Sequence, residues 1–250
     1  MVKFNLLAVA VLTSITFSTC IQAEDKSDWP SPMMEMSAWQ VMLDRLELSR
    51  NTDKENVFTW DATAWYGGDY HRVVLRTEGE NQQNDGHPTD LERTDISYSY
   101  MISSFWSLQA GLGLKGEMSS GENAEHYAVF SLTGLAPYYF ETDSSLLINE
   151  DGDVQWLNEF EYDFLLTQTS YLQPRFTVNT NLTDSERFGR EAGVESVRFG
   201  LRYRQEVVRE FAPYFGVYWQ KQLGQTANTT AANGEDTSEF GFIAGARIWF

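Results

Sequence analysis

The last thirteen residues constrain this chain most. Ser238 to Phe250 read Ser-Glu-Phe-Gly-Phe-Ile-Ala-Gly-Ala-Arg-Ile-Trp-Phe. Successive side chains of a strand point to opposite faces, so Phe240, Phe242, Ala244, Ala246, Ile248 and Phe250 share one face, while Glu239 and Arg247 fall on the other. Such a segment needs an apolar medium on one side and a polar space on the other. A strand of a membrane-spanning β-barrel, set between lipid and lumen, meets both demands.

The beginning of the chain agrees. Met1-Val2-Lys3 is a short positive start, Leu6 to Phe17 an apolar run too short to span a bilayer as a helix, and Ile21-Gln22-Ala23 a small-residue cleavage site. Residues 1–23 therefore read as a secretory signal that is removed, followed by a flexible periplasmic leader at 24–40 and an outer-membrane barrel at 41–250. The one cysteine, Cys20, lies inside the signal, which leaves the mature chain without a disulfide. No later stretch is apolar enough for a membrane helix. The formal charge of −18 argues against a nucleic-acid partner, because phosphate binding requires a basic field.

Counted back from Phe250, alternating segments are joined by links that are alternately short and long, the asymmetry of periplasmic turns and outer loops. The segments fall at 41–50, 57–66, 70–79, 93–102, 105–116, 125–134, 137–148, 153–166, 171–182, 193–206, 210–223 and 238–250. The expected fold is thus an all-β, antiparallel, up-and-down transmembrane barrel of about twelve strands with both ends periplasmic. An even count requires the first segment, although its alternation is weaker than that of the others.

Alternation also assigns the lumen. Residues 153–166 place Trp156, Phe160, Tyr162 and Phe164 opposite Gln155, Glu159, Glu161 and Asp163, and residues 193–206 place Val197, Phe199, Leu201 and Tyr203 opposite Arg198, Arg202 and Arg204. By the same parity Asp61, Arg72, Arg76, Glu78, Arg93, Asp95, Lys115, Glu141, Asp143, Arg175 and Arg247 point inward. A charge facing hydrocarbon costs about 2–4 kcal/mol for Arg or Lys at the bilayer midplane, so this sorting is required of any barrel. It does not by itself name a function.

Several blocks carry a resemblance. They include Leu43-Asp44-Arg45-Leu46-Glu47, Trp60-Asp61-Ala62-Thr63-Ala64-Trp65-Tyr66-Gly67-Gly68-Asp69-Tyr70, Leu75-Arg76-Thr77-Glu78-Gly79-Glu80 and Glu161-Tyr162-Asp163-Phe164-Leu165-Leu166-Thr167-Gln168. Leu172-Gln173-Pro174-Arg175, Arg209-Glu210-Phe211-Ala212-Pro213-Tyr214 and Ala246-Arg247-Ile248-Trp249-Phe250 follow in order. From about residue 33 onward the chain resembles the outer-membrane copper-resistance protein B family, CopB and PcoB. The resemblance implies a Gram-negative outer membrane, the handling of copper ions there, and a periplasmic multicopper oxidase as companion. The terminal Phe likewise resembles the signal read by the outer-membrane assembly machinery.

Members of that family commonly carry a long leader rich in Met and His, whereas this chain keeps only Pro32-Met33-Met34-Glu35-Met36. Thioether sulfur is a soft ligand that selects Cu(I), so Met33, Met34 and Met36 are candidate copper contacts; they can equally be ordinary apolar residues. His87 and His126 both fall on the outer side, where they could take a metal with Asp85, Asp90 or Glu125, or simply be solvated. His71, beside Asp69 and Arg72, reads as part of a turn network. No Ser lies near a His in a hydrolase pattern and no GxSxG occurs, so a non-enzymatic role is expected. The alternative to a copper role is a general small-solute pore or a structural barrel without metal specificity.

Overall fold

The computed structural model describes residues 37–51, 56–82, 89–117, 124–185, 187–232, 234 and 236–250. Thirteen strand segments form one closed antiparallel sheet: β1 (Ala38–Asn51), β2 (Asn56–Gly67), β3 (His71–Gln82), β4 (Asp90–Ser103), β5 (Trp106–Glu117), β6 (Glu125–Ala136), β7 (Phe140–Asn149), β8 (Val154–Glu161), β9 (Phe164–Thr167), β10 (Ser170–Asn181), β11 (Gly193–Gln205), β12 (Phe211–Gln222) and β13 (Ser238–Trp249). Pairing of β1 with β13, from Met42 opposite Trp249 to Asn51 opposite Gly241, closes the barrel. Among the described residues one helix, α1 (Gly224–Ala232), decorates an outer link. No helix among the described residues is long and apolar enough to cross a membrane.

The barrel has twelve passes, because β8 and β9 are two parts of one strand. Both pair with β10, with Glu161 opposite Arg175 and Phe164 opposite Leu172, so the register runs straight through the gap. Opposite Tyr162 stands Pro174, which accepts from the Tyr162 N–H at 3.2 Å but has no N–H to return. One missing donor interrupts the ladder. On its other side this strand meets β7 only as far as Glu161 opposite Glu141, and the rings of Phe140, Tyr162 and Phe164 pack at 4.9 and 4.5 Å where the backbone pairing ends.

The weak alternation of the first segment also has a local cause. The pairing of β1 shifts register between Leu43 and Arg45 against β2, and between Leu43 and Leu46 against β13. Asp44 is the extra residue of a β-bulge, so Met42 and Asp44 below it and Arg45, Glu47 and Ser49 above it all reach the lumen. The strand begins at Ala38, three residues before the expected 41.

The seventh strand departs at its start. Pro137 was expected to open it, yet residues Pro137–Tyr139 form a single 3-10 turn and the strand begins at Phe140. Tyr138 and Tyr139 take φ of 69° and 65°, a left-handed conformation that no glycine in this turn announces.

Outward positions are apolar, as the alternation requires: Leu75, Ile96, Leu112, Phe130, Phe199, Phe215 and Phe242 are all exposed on the wall. The lumen is not uniformly polar, however. Tyr127, Val129 and Leu147 form a buried apolar cluster on the inner face of β6 and β7, with Leu157 against it. Tyrosine rings also lie flat on neighbouring inner glycines. A Cβ added to Gly245 would sit 2.7 Å from the Tyr214 ring, and one on Gly113 would sit 2.5 Å from that of Tyr127.

Candidate functional site: the barrel lumen

Every inward charge assigned by parity takes its place inside, and the structure shows how these charges divide the lumen. On the β10 to β1 side the interior is filled. Glu47, fully buried, accepts from Arg202 Nε and Nη2 at 3.2 and 3.0 Å and from the Tyr214 hydroxyl at 3.2 Å. Arg198, Arg202 and Arg204 lie over the rings of Tyr218, Tyr214 and Tyr171, a stack of cation–π pairs. Arg204 also binds Asp163.

At mid-height the bulge sets a layer of paired charges. Arg45 meets Asp61 at 3.0 Å and Glu78 at 3.5 Å. Arg175 faces four carboxylates: Glu159, Glu161 at 2.9 Å, Asp44 at 3.6 Å and Asp61 at 3.7 Å. Arg247 holds Asp44 at 3.1 Å and points its Nη2 at the Met42 sulfur, 3.2 Å away. A straight strand would have aimed Asp44 at lipid; the bulge brings it to two arginines instead.

The rest of the lumen stays open as a cavity of about 1500 Å³, lined chiefly by β2 to β8 and bordered by β1 and by inward residues of β10 to β13. Its lining reaches from Asp90, Glu117 and Glu195 at the outer strand ends to Arg72, Ser107 and Glu141 at the periplasmic ends. Twelve carboxylates and nine Arg or Lys side chains line it, leaving it net negative by three. A smaller cavity of about 200 Å³ at the periplasmic mouth shares Gln40, Met42 and Arg247 with it. Of the described methionines, Met42 thus stands where the two spaces meet.

The described residues of the outer link, 182–185 and 187–192, fold over the mouth. Arg190 reaches buried Glu125, which Lys115 meets from the opposite side at 3.4 Å, and a Ser185–Arg190 bridge closes the link on itself. Arg187 pairs with Glu150 and with Asp151 at 3.2 Å, and these two carboxylates raise its pKa further above the ordinary arginine range. Both arginines flank the Phe188 ring, at 5.0 and 4.8 Å.

The candidate ligands fare differently. Met33, Met34, Met36 and His87 lie outside the described residues. His126 is exposed on the outer wall of β6, whereas Glu125, its expected oxygen partner, is buried in the lumen. Adjacent strand residues face opposite ways, so those two cannot share an ion. His71 does join a turn network, through its backbone: its carbonyl accepts from the Gly68 N–H at 2.9 Å, and Arg72 Nε donates to the Gly68 carbonyl at 3.1 Å, while its ring Nδ1 meets the Tyr98 hydroxyl at 2.5 Å and the ring packs on Tyr98 and Tyr100. Among the described residues, no group of three His, Cys, Asp or Glu is placed to hold a metal. Alternation did not announce the Asp44 bulge or the Arg–Tyr stack, although three arginines at 198, 202 and 204 beside tyrosines on the two flanking strands could have suggested the latter.

A closed twelve-pass barrel with an apolar wall and a charged lumen is an outer-membrane protein. Its backbone matches the KdgM porin, with a TM-score of 0.52, 9% identity and 84% of this chain covering 99% of that one. The NanC porin matches equally, with a TM-score of 0.51, 10% identity and coverage of 84% and 99%. Sequence relatives narrow this further. The family described as "Copper resistance protein B precursor (CopB)" matches residues 37–250. "Copper resistance protein B" of Escherichia coli is 36% identical over 210 residues, 84% of this chain and 69% of that protein. The "Copper resistance protein B homolog" of Pseudomonas syringae pv. tomato (strain ATCC BAA-871 / DC3000) is 31% identical over 207 residues, 83% and 68%. The chain belongs to the CopB family of outer-membrane copper-resistance proteins.

Proposed function

We propose that this barrel serves copper resistance by passing copper ions along the open side of its lumen, as a conduit and not as an enzyme. The observation that carries this reading is the excess of carboxylates over bases along a cavity that reaches both ends of the strands. Carboxylates concentrated at the outer mouth attract cations and raise their local concentration, while the low-dielectric wall focuses that field. Oxygen ligands suit hydrated Cu(II), whereas thioethers suit Cu(I). Met42, at the periplasmic mouth, offers a thioether to copper that arrives as Cu(I), and Met33, Met34 and Met36 supply further thioethers earlier in the chain. At mid-height a moving cation meets carboxylates already satisfied by Arg45 and Arg175, so it exchanges between pairs and is not trapped. A periplasmic multicopper oxidase is the partner assigned to the leader and the periplasmic turns.

The test is cell-associated copper, measured by elemental analysis in a strain lacking the protein and in strains carrying the intact chain or the Met33→Leu, Met34→Leu, Met36→Leu triple variant. The intact chain is expected to shift copper content and the triple variant to shift it less. A second reading, a pore without metal preference, is favoured by the absence of a three-ligand metal group among the described residues. Reversal potentials of the reconstituted barrel separate the two: clear cation preference with copper flux supports the first reading, and flux indifferent to charge supports the second.

A further inference from the structure

We propose that the outer rim of the wall at β12, β13 and β1 binds a phosphate-bearing glycolipid of the outer leaflet through Arg50 and Lys221. The starting observation is how completely charge is sorted elsewhere. Among the described strand residues, every other charged side chain turns to the lumen, from Asp44 and Arg45 on β1 to Glu239 and Arg247 on β13: most line the cavities or join interior ion pairs, Glu92 and Glu195 turn inward at register shifts, Glu80 shares the face of Glu78, and Glu239 accepts from the Tyr218 hydroxyl. Arg50 and Lys221 alone point outward. Arg50 follows exposed Leu48 and inward Ser49 on β1, and Lys221 follows exposed Trp219 on β12.

Both bases are exposed, and neither makes an ion pair with a described residue. Both also lie in the last turn of pairing before an outer link, since Arg50 stands opposite Asn56 and Lys221 opposite Ser238. They are therefore at the outer membrane surface and not in hydrocarbon, where an unpaired cation would be costly.

The register puts them within reach of one molecule. Arg50 is level with Phe242, and Phe242 with Val217, four residues before Lys221. Two strand spacings across and four residues along give about 16 Å between the two Cα atoms, a gap that two long flexible side chains reduce to roughly the span of a glycolipid headgroup. Between and below them lies an apolar face: Trp219 stands opposite Phe240, and Phe240 packs edge-on against Phe242 at 5.8 Å. Cations above a floor of aromatic rings form the pairing that an anionic headgroup with acyl chains would fill, and Arg in particular binds phosphate in a bidentate manner. Charge complementarity selects the occupant. A protein of net charge −18 that, among its described strand residues, exposes only two Arg or Lys side chains on its wall, both at the outer rim, gains nothing from them against hydrocarbon and much from a phosphate.

This inference is independent of the copper reading. The test uses the intact chain and the Arg50→Gln, Lys221→Gln double variant, each purified in mild detergent, checked for folding by heat-modifiable migration, and titrated with purified bisphosphorylated lipid A or its dephosphorylated form. Native mass spectrometry then counts retained lipid. The intact barrel is expected to hold the bisphosphorylated lipid at least about fivefold better than the double variant, and better than it holds the dephosphorylated form. An Arg198→Gln variant, which removes a lumen arginine, should match the intact chain. Equal retention by the intact and double-variant barrels, or equal retention of the two lipids by the intact barrel, would overturn the proposal.

Discussion

Replacing Arg202 by Met tests whether the filled side of the lumen is held by its buried ion pairs. The change removes two charge-assisted bonds to Glu47, at 3.2 and 3.0 Å, from a carboxylate that has no exposed surface. Each such bond contributes about 1.5–3 kcal/mol. What remains to Glu47 is the Tyr214 hydroxyl at 3.2 Å and Arg198 at 3.8 Å. Arg198 is close enough to move in, so the loss should fall near the low end, about 3 kcal/mol, consistent with roughly 3–5 kcal/mol for breaking one side of a buried pair. Urea unfolding of the barrel in lipid vesicles, followed by tryptophan fluorescence, reads this as a lower midpoint. Adding Glu47→Gln removes the stranded charge and should return the barrel to within about 1 kcal/mol of the starting protein. An unchanged midpoint for the single variant, or equal destabilisation of single and double variants, refutes the reasoning.

Other changes probe other parts. Gly245→Ala would place its Cβ 2.6 Å from the Leu46 carbonyl oxygen and 2.7 Å from the Tyr214 ring, and should cost about 1–3 kcal/mol in the same unfolding assay. Arg187→Ala breaks contacts that are about 40% exposed on both sides, so stability should change by less than about 1 kcal/mol. Its effect should instead appear in single-channel recordings as noisier conductance, because the outer link loses its tie to residues 150 and 151. Deleting Asp44 converts the bulge to regular strand, so the barrel should still assemble. Arg247 and Arg175 then lose a partner at 3.1 and 3.6 Å, and reversal potentials should show weaker cation preference.

Most strand positions were legible because a barrel wall has one rule, apolar outside, and nearly every strand obeys it with period two. The exceptions have local causes. β1 hid its parity behind Asp44, since a bulge puts two successive residues on one side and breaks the alternation that would reveal it. The β6–β7 turn offered Pro137 but no glycine, so neither the left-handed Tyr138 and Tyr139 nor the later strand start could be read from residue type. Tyr127, Val129 and Leu147 break the expectation of a polar lumen because a barrel this narrow must fill part of its interior, and filling takes volume whatever its polarity. For the site, parity fixed which charges face inward but not which meet. That Arg175 gathers carboxylates from β1, β2 and β8 depends on curvature across the barrel, which no single strand encodes. The split between Glu125 and His126 was available from alternation and follows from it directly.

Pro174 removes one donor, and the consequence reaches beyond a label in a strand count. A closed barrel has no free edge from which to unravel, so its backbone amides should exchange together, late, and only when the whole wall gives way. Here β9 is bonded on one side alone, and the wall beside it is sealed by three aromatic rings and not by a ladder. That gives the cylinder a notch at its periplasmic lip. Hydrogen exchange should enter there first, at residues 162–167, well before it reaches the continuous ladders of β2 with β3 and of β12 with β13.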